Sequence, residues 1–164
     1  MAMKRIILFL LTSIICVLSF SQGIYIEGKG YKGYIFPQGH AVCGFPPNPN
    51  SFTPSKEDIE DVEQILKQHF QDNFKNRSVI KYYGYPRLNR KTLKNYIRQY
   101  VGVLAENGNK VIFINFIHKK DEIISLEDIK KDLIYVLDGG TYYWRIHIDI
   151  TSKKIINMEI NGVA

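Results

Sequence analysis

The feature that most constrains the fold is one amphipathic helix, which the sequence predicts to begin near Thr53 and Pro54. Threonine is a favourable cap and proline suits the first helical position, while Ser55 and Asp58 offer an alternative capping box. The following residues repeat at steps of three and four and form one largely apolar face: Ile59, Val62, Ile65, Leu66, His69, Phe70 and Phe74. A helix with such a face needs a partner surface, so the rest of the chain must supply a layer that covers it.

After this helix the chain changes to the two-residue periodicity of β-strands. Residues 96–105 and 110–118 are rich in β-branched and aromatic side chains, as strands usually are. Between them lies Asn107-Gly108, a dipeptide that favours the tight turn of a hairpin. We therefore predict that these two strands pair antiparallel.

Two shorter elements are predicted after the hairpin. Residues 125–131 have the pattern of one or two helical turns, with Ser125 and Asp128 as a capping box. A strand is predicted over residues 133–137, followed by a turn at residues 138–140, where two glycines follow an aspartate.

The strand predicted over residues 142–150 alternates between two kinds of side chain. One face carries Tyr142, Trp144, Ile146, Ile148 and Ile150, and the other carries Tyr143, Arg145, His147 and Asp149. We expect the first face to pack in the core and the second to contact water. A final strand is predicted over residues 155–160.

Together these elements predict an α+β domain over residues 53–164, with one long N-terminal helix packed on a curled antiparallel sheet of four to five strands. Residues 22–52 are rich in glycine and proline and show no period. We expect an irregular arm there, with one short strand over residues 31–36.

The first 21 residues have the pattern of a secretory signal peptide. Lys4 and Arg5 precede an apolar run, and a small-x-small pattern ending at Ser21 marks the cleavage site; a retained anchor is the alternative. We therefore expect an exported protein, periplasmic or secreted, without a transmembrane segment after cleavage. Its formal net charge falls from +6 to +4 as Lys4 and Arg5 leave. Cys16 also leaves, so Cys43 has no cysteine partner within the mature chain.

The order of one helix followed by an antiparallel meander, from residue 53 onward, resembles the cystatin-like roll that cystatins share with nuclear-transport-factor-2-like proteins. The sequence DGGTYYW at residues 138–144, with Asn161-Gly162 near the C-terminus, is similar to the ending of small exported Bacteroidota proteins without an assigned activity. The resemblance implies the roll topology. The Gln-x-Val-x-Gly loop with which cystatins inhibit proteases does not occur in this chain, so that activity is not implied.

The strongest candidate for a binding site is a basic and tyrosine-rich segment between Asp72 and Glu106, where the chain has no acidic residue. Cations suit the charged groups of a polyanion, and rings such as Tyr96 and Tyr100 suit its bases or sugars. The candidate binding residues are Arg77, Lys81, Tyr83, Tyr85, Arg87, Arg90, Lys94 and Arg98. Export argues against nucleic acid, which leaves an envelope glycan, a lipid surface or an acidic protein. The alternative is a solvated linker and edge strand whose charges oppose aggregation.

Catalytic candidates are few. His147 and Asp149 share one face of a predicted strand, where an imidazole could do acid–base work. The alternative is an ordinary polar outer face, which alternating strands commonly have. A metal site needs three or four ligands in a fixed geometry, so this pair is too sparse for one.

His40 and Cys43 invite the idea of a thiol nucleophile, but the prolines after Cys43 prevent a helix from beginning there to stabilise a thiolate. We expect Cys43 to be a small buried side chain and His69 a core residue. The chain has no glycine-rich phosphate loop, paired-cysteine motif or serine elbow, so no cofactor is expected. Our first hypothesis is a non-catalytic exported binding protein. The alternatives are a small nuclear-transport-factor-2-like enzyme with a pocket between helix and sheet, and an envelope-attached polyanion or glycan binder.

Overall fold

The computed structural model describes residues 22–40, 48–72 and 84–163 of the chain. Their strands and helices are β1 (Ile24–Gly28), β2 (Tyr31–Ile35), β3 (Ser51–Phe52), α1 (Lys56–Asp72), β4 (Tyr96–Leu104), β5 (Lys110–His118), α2 (Leu126–Lys131), β6 (Tyr143–Asp149) and β7 (Lys154–Ile160). They form an α+β fold around one seven-stranded, mostly antiparallel sheet. The predicted signal peptide and Cys43 lie outside the described residues.

The strands follow the spatial order β1-β2-β4-β5-β6-β7, and β3 pairs with β4 beyond the end of β2. The predicted hairpin is confirmed, because β4 and β5 pair antiparallel from Tyr96 opposite His118 to Leu104 opposite Lys110. The pairing of β2 with β4 is parallel. This parallel pair brings the β1–β2 turn to the end of the sheet where β4 begins.

The short strand predicted over residues 31–36 is confirmed as β2, but the prediction of an irregular arm over the rest of residues 22–52 is wrong at β1 and β3. β1 and β2 form an antiparallel hairpin, and β3 adds a further short strand, so this segment belongs to the sheet. The packing of β2 on β4 requires one of the glycines that interrupt the sequence pattern here. A Cβ at Gly33 would lie 2.1 Å from the carbonyl oxygen of Arg98. Only glycine allows β2 to approach β4 so closely.

α1 covers one face of the sheet, which we call the inner face. Ile59, Val62, Leu66 and Phe70 are buried in one core cluster with the β5 and β6 side chains Ile112, Ile114, Trp144, Ile146 and Ile148. The rings of Phe70 and Trp144 lie 5.8 Å apart, and Trp144 stacks on Phe116 at 3.6 Å. The predicted helix on the sheet, with Trp144 in the core, is therefore confirmed for the described residues.

The helix begins at Lys56, one residue after the alternative cap. Ser55 Oγ accepts a hydrogen bond from the Asp58 N–H, and an Asp58 carboxylate oxygen accepts one from the Ser55 N–H. These reciprocal bonds satisfy two backbone donors that the first helical turn leaves without partners. Phe74, the last residue of the predicted apolar face, lies outside the described residues.

The opposite, outer face was expected to contact water, and this prediction is wrong. Tyr143 and Asp149 are each 8% exposed, and Tyr143 belongs to a second cluster with Ile97, Ile117 and Ile129. The cover is the chain between β5 and β6. It consists of α2, whose predicted Ser125–Asp128 capping box is present, and an extended segment at residues 132–138, which we call the strap.

The strand predicted over residues 133–137 does not form a strand ladder, although the strap is extended. Its carbonyl groups at Asp132, Ile134 and Val136 instead accept hydrogen bonds of 2.6 to 2.7 Å from side-chain amides of the sheet. Those amides belong to Gln99, Asn115 and Asn161, and we call them the amide ladder. Every second carbonyl group of the strap accepts a hydrogen bond, as in a strand, but the donors are side chains rather than the backbone of a neighbouring strand.

Candidate functional site

A groove of about 1060 Å³ lies where the β1–β2 turn, the second half of α1 and the loop before β4 meet. Its lining consists of Lys29, Gly30, Lys67, Phe70, Gln71, Asn89, Arg90, Lys91, Leu93 and Lys94. Five of these residues carry a positive charge and none carries a carboxylate. We call this the basic groove. Concave surfaces with charge of one sign concentrate ligands of the opposite sign.

The wall made by residues 89–94 is a locked turn. Asn89 Oδ1 accepts hydrogen bonds from the backbone N–H groups of Lys91 and Thr92, at 2.9 and 3.2 Å. Thr92 Oγ1 in turn accepts from the Asn89 N–H at 2.9 Å. Leu88 and Leu93 are buried on either side of the turn and fix it to the core. The exposed side chains of Arg90 and Lys91 are therefore presented from a rigid backbone.

The opposite wall is formed by α1 and the β1–β2 turn. Lys67 donates a hydrogen bond of 3.0 Å from Nζ to the carbonyl oxygen of Lys29, and its ammonium lies 5.4 Å from the centre of the Tyr31 ring. An ammonium has three N–H donors, so Lys67 keeps further donors for a ligand while its position is fixed.

Arg98 does not lie on this surface, although we proposed it as a binding residue. Its side chain is fully buried, and Nε lies 2.7 Å from Glu63 Oε1. Tyr100 OH donates to the same carboxylate oxygen at 2.9 Å. Arg98 therefore joins α1 to the sheet beneath the basic groove, and Glu63 neutralises its charge. The alternation of side chains along β4 places Arg98 on the buried inner face. The basic residues around it in the sequence had suggested an exposed position instead.

The remaining candidates of the basic segment fall into three groups. Arg90 and Lys94 line the groove, whereas Arg87 is exposed but is not part of the lining. Tyr85 is half-buried, and its ring lies 6.0 Å from that of Tyr142. The other three candidates lie outside the described residues: Arg77, Lys81 and Tyr83.

Two tyrosines of the predicted site, Tyr96 and Tyr100, are not available to a ligand. Tyr96 and Tyr100 have no exposed surface, and burial raises the pKa of both phenols. Tyr96 OH donates to the carbonyl oxygen of Thr141 at 2.7 Å. The basic groove thus offers ammonium, guanidinium and amide groups rather than a row of stacking rings.

Sequence reasoning missed Lys29 and Lys67, because they come from parts of the chain distant from the basic segment. Two local signals pointed to them. Gly28 and Gly30 flank Lys29, as expected in a turn, and helical periodicity places Lys67 one turn before Gln71. Which turn meets which helix depends on the parallel pairing of β2 with β4, which no local pattern shows.

The catalytic candidates are not arranged as an active site. His147 lies on the outer face, where its ring packs 4.9 Å from that of Phe113. Burial lowers the pKa of His147, with a smaller opposite effect from Glu159. Asp149 accepts hydrogen bonds from the Ser152 N–H at 2.9 Å and from Asn109 Nδ2 at 2.7 Å, and so fixes the β6–β7 turn. An enzyme with its pocket between helix and sheet needs an acid–base group on the inner face, such as a tyrosine, His147 or Asp149. Neither His147 nor Asp149 lies there, and the inner-face tyrosines Tyr96 and Tyr100 are fully buried.

A second groove, of about 690 Å³, lies between α1 and the start of β7. Its lining includes Asp61 as well as Lys153 and Lys154, so it does not select one sign of charge. His69, expected in the core, lines this groove and is half-buried. His40 packs on Phe36 at 4.5 Å, and burial lowers its pKa.

Across the described residues, no three His, Cys, Asp or Glu side chains come together in a way that could hold a metal ion. Within the same residues, every helix is too short or too polar to cross a membrane. No family model, curated protein or solved structure matches the chain.

Proposed function

We propose that this chain is an exported, non-catalytic binding protein whose basic groove binds an acidic glycan of the cell envelope. The observation that carries the proposal is the groove lining, which has five cations and no carboxylate. These cations come from the β1–β2 turn, α1 and the loop before β4. They are brought together by the fold and do not all belong to one basic run of the sequence.

The shape and chemistry of the groove favour a glycan over a lipid surface. A membrane surface is best contacted by a protruding patch of basic and apolar side chains, whereas this site is concave. Its apolar members, Phe70 and Leu93, are 2% and 3% exposed and cannot insert into a bilayer. The amides of Gln71 and Asn89 lie among the cations, where they suit the hydroxyl groups of a sugar.

Export rests on the sequence of the first 21 residues, and two further parts of the proposal rest on resemblance. The signal pattern of residues 1–21 and the DGGTYYW sequence support export in the manner of small Bacteroidota proteins. The long helix across an antiparallel sheet supports a cystatin-like roll with a curled sheet. In that interpretation, the β1–β2 hairpin before the helix and its parallel contact with β4 are additions to the roll, and they build one wall of the basic groove.

The test is retention of the purified protein on immobilised polygalacturonate, a carboxylated polysaccharide, compared with a neutral dextran. We expect retention on polygalacturonate alone and release by salt, because the screening length falls from about 10 Å at 0.1 M to about 3 Å at 1 M. The variant Arg90→Gln with Lys91→Gln should lose most of this retention. Both side chains are exposed, so folding should not change.

The matched control is Lys153→Gln with Lys154→Gln, which removes the same charge from the mixed-charge groove. Equal loss in both variants would show that net charge alone causes retention and would overturn the proposal. Retention on dextran would also overturn it. Binding to vesicles of anionic phospholipid without binding to polygalacturonate would favour a lipid surface instead.

A further inference from the structure

The positive charge of the basic groove continues beyond the groove. Lys94 lines the groove with its side chain, and its backbone carbonyl accepts a hydrogen bond of 2.6 Å from Lys119 Nζ. Lys119 follows the end of β5, and Lys32 lies on β2, on the opposite side of that strand from the buried Tyr31. We call Lys32 and Lys119 the lysine pair.

Geometry places Lys119 close to both the groove and β2: its Nζ donates to the Lys94 carbonyl and its N–H to that of Asn95, just before β4, which pairs with β2. Burial is the first cause that lowers the pKa of Lys119, and the next causes are the charges of Lys32, Arg98 and Lys94. Glu27, the partner of Lys32 across the β1–β2 hairpin, opposes them, so this end of the surface carries one carboxylate beside its two lysines. A charge held close to other positive charges is stabilised when an anion approaches.

The two ends of this charged surface are built alike. Lys67 in the groove is held by the carbonyl oxygen of Lys29, and Lys119 outside it is held by the carbonyl oxygen of Lys94. Each ammonium is thus positioned by a backbone group and has N–H donors left. A fixed donor loses less conformational entropy on binding than a free lysine does.

We propose that the ligand of the basic groove is an extended acidic polysaccharide that passes Lys94 and also contacts Lys32 and Lys119. The proposal rests on the function proposed above and adds the length of the ligand. A small anion would contact only the cations that line the groove. A chain with repeated carboxylates reaches both groups of cations, with Lys94 between them.

The test compares a galacturonic acid disaccharide with polygalacturonate, using the affinity of the purified full chain for each. We expect the polymer to bind more tightly per binding site. Lys32→Gln with Lys119→Gln should weaken polymer binding about tenfold, as two exposed ion pairs of modest strength together allow. The same variant should change disaccharide affinity less than about twofold, since all five cations that line the groove remain.

Controls separate the possible failures. Lys153→Gln with Lys154→Gln should bind both probes as the parent does, and the unfolding midpoint of each variant should match the parent. If the lysine-pair variant binds the polymer normally while Arg90→Gln with Lys91→Gln binds neither probe, the extended ligand is overturned and the groove function stands. If neither probe binds the parent, or if only anionic vesicles bind it, both proposals are overturned.

Discussion

Each face of the sheet has a cover, but the covers differ in kind and the outer one spans only part of its face. On the inner face, α1 contributes a row of fully buried apolar side chains, from Ile59 to Phe70, to the main core cluster. On the outer face, the strap lies over a smaller cluster and is held mainly through its backbone carbonyl groups. The first cover depends on the hydrophobic effect, which is not directional. The second depends on hydrogen bonds, which require particular partners.

A buried polar network lies on each face, and the two networks differ in chemistry. The inner face has an ion pair, Glu63 with Arg98, supported by Tyr100. The outer face has the amide ladder, in which Gln99 accepts from the Ile134 N–H and donates to the Asp132 carbonyl. An amide can donate and accept at once, so it replaces the missing neighbouring strand. A carboxylate can only accept, and its charge must be neutralised when it is buried.

The largest predicted effect concerns the inner network. Glu63→Gln keeps the shape of the side chain but leaves the charge of Arg98 buried without a counter-charge. Breaking a buried pair from one side typically costs about 3 to 5 kcal/mol, and we expect that loss in the free energy of unfolding. Urea denaturation followed by tryptophan fluorescence measures it, because Trp144 lies in the same core cluster.

The matched control is Glu60→Gln on the exposed side of α1, where the ion pair with Lys56 is solvated. It should change stability by less than about 0.5 kcal/mol. Replacing the whole network, with Glu63→Leu, Arg98→Met and Tyr100→Phe, should recover part of the loss, because it removes the buried charges together with the hydroxyl that Glu63 accepts from. If Glu63→Gln is as stable as the parent, the ion pair contributes no more to the free energy of unfolding than a surface ion pair does.

The next effect concerns the outer network. Gln99→Leu removes the donor to the carbonyls of Ile129 and Asp132 and the acceptor for the Ile134 N–H. Each buried group left without a partner costs about 1 to 3 kcal/mol, but the strap can open to water, so we expect a total loss of about 2 to 3 kcal/mol. The loss should be local, in contrast to the effect of Glu63→Gln.

Hydrogen exchange separates the local from the global effect. In Gln99→Leu the Ile134 amide should exchange much faster, while the amides of the β4–β5 hairpin change little. Asn157→Leu is the control, because Asn157 is an exposed amide on the outer face of β7 that bonds only to Glu159 among the described residues. Uniform faster exchange throughout the sheet would show that the strap and the core unfold together.

The same contrast explains how much of the fold was predictable from the sequence. The α1 cap, the β4–β5 hairpin and the placement of Trp144 depend on residues close together in the chain, so periodicity and turn residues revealed them. The strap has the correct period for a strand. Its side-chain partners lie on β4, on β5 and directly after β7, and no local pattern identifies them.

The candidate site was only partly predictable for a related reason. A basic run in the sequence does not show which of its members face water. Arg90 and Lys94 line the groove, whereas Arg98, four residues later, is buried against Glu63 of α1. Half of the groove wall, including Lys67, comes from the β1–β2 turn and α1. The pairing of β2 with β4 brings this turn to the end of the sheet where β4 begins.

The smallest predicted effect uses one histidine from each face. His118 lies on the inner face between the rings of Tyr96 and Tyr142, and its Nδ1 accepts from the Lys120 N–H at 3.2 Å. Burial lowers the pKa of His118, the charges of Lys120 and Lys119 lower it further, and Asp121 opposes them. On the outer face, burial likewise lowers the pKa of His147.

A lowered pKa in the folded state means that the unfolded chain takes up the proton first. Stability is therefore fully present above the ordinary histidine pKa of about 6.5 and falls as the pH decreases below it, by at most about 1.4 kcal/mol per pH unit for each proton. His118→Gln should flatten this decline more than His147→Gln, because His118 is 5% exposed and His147 is half-buried. Unfolding curves between pH 7 and pH 5 measure the difference. If His147→Gln flattens the decline more, burial beside Phe113 on the outer face outweighs burial between Tyr96 and Tyr142 on the inner face, and the order of the two faces is reversed.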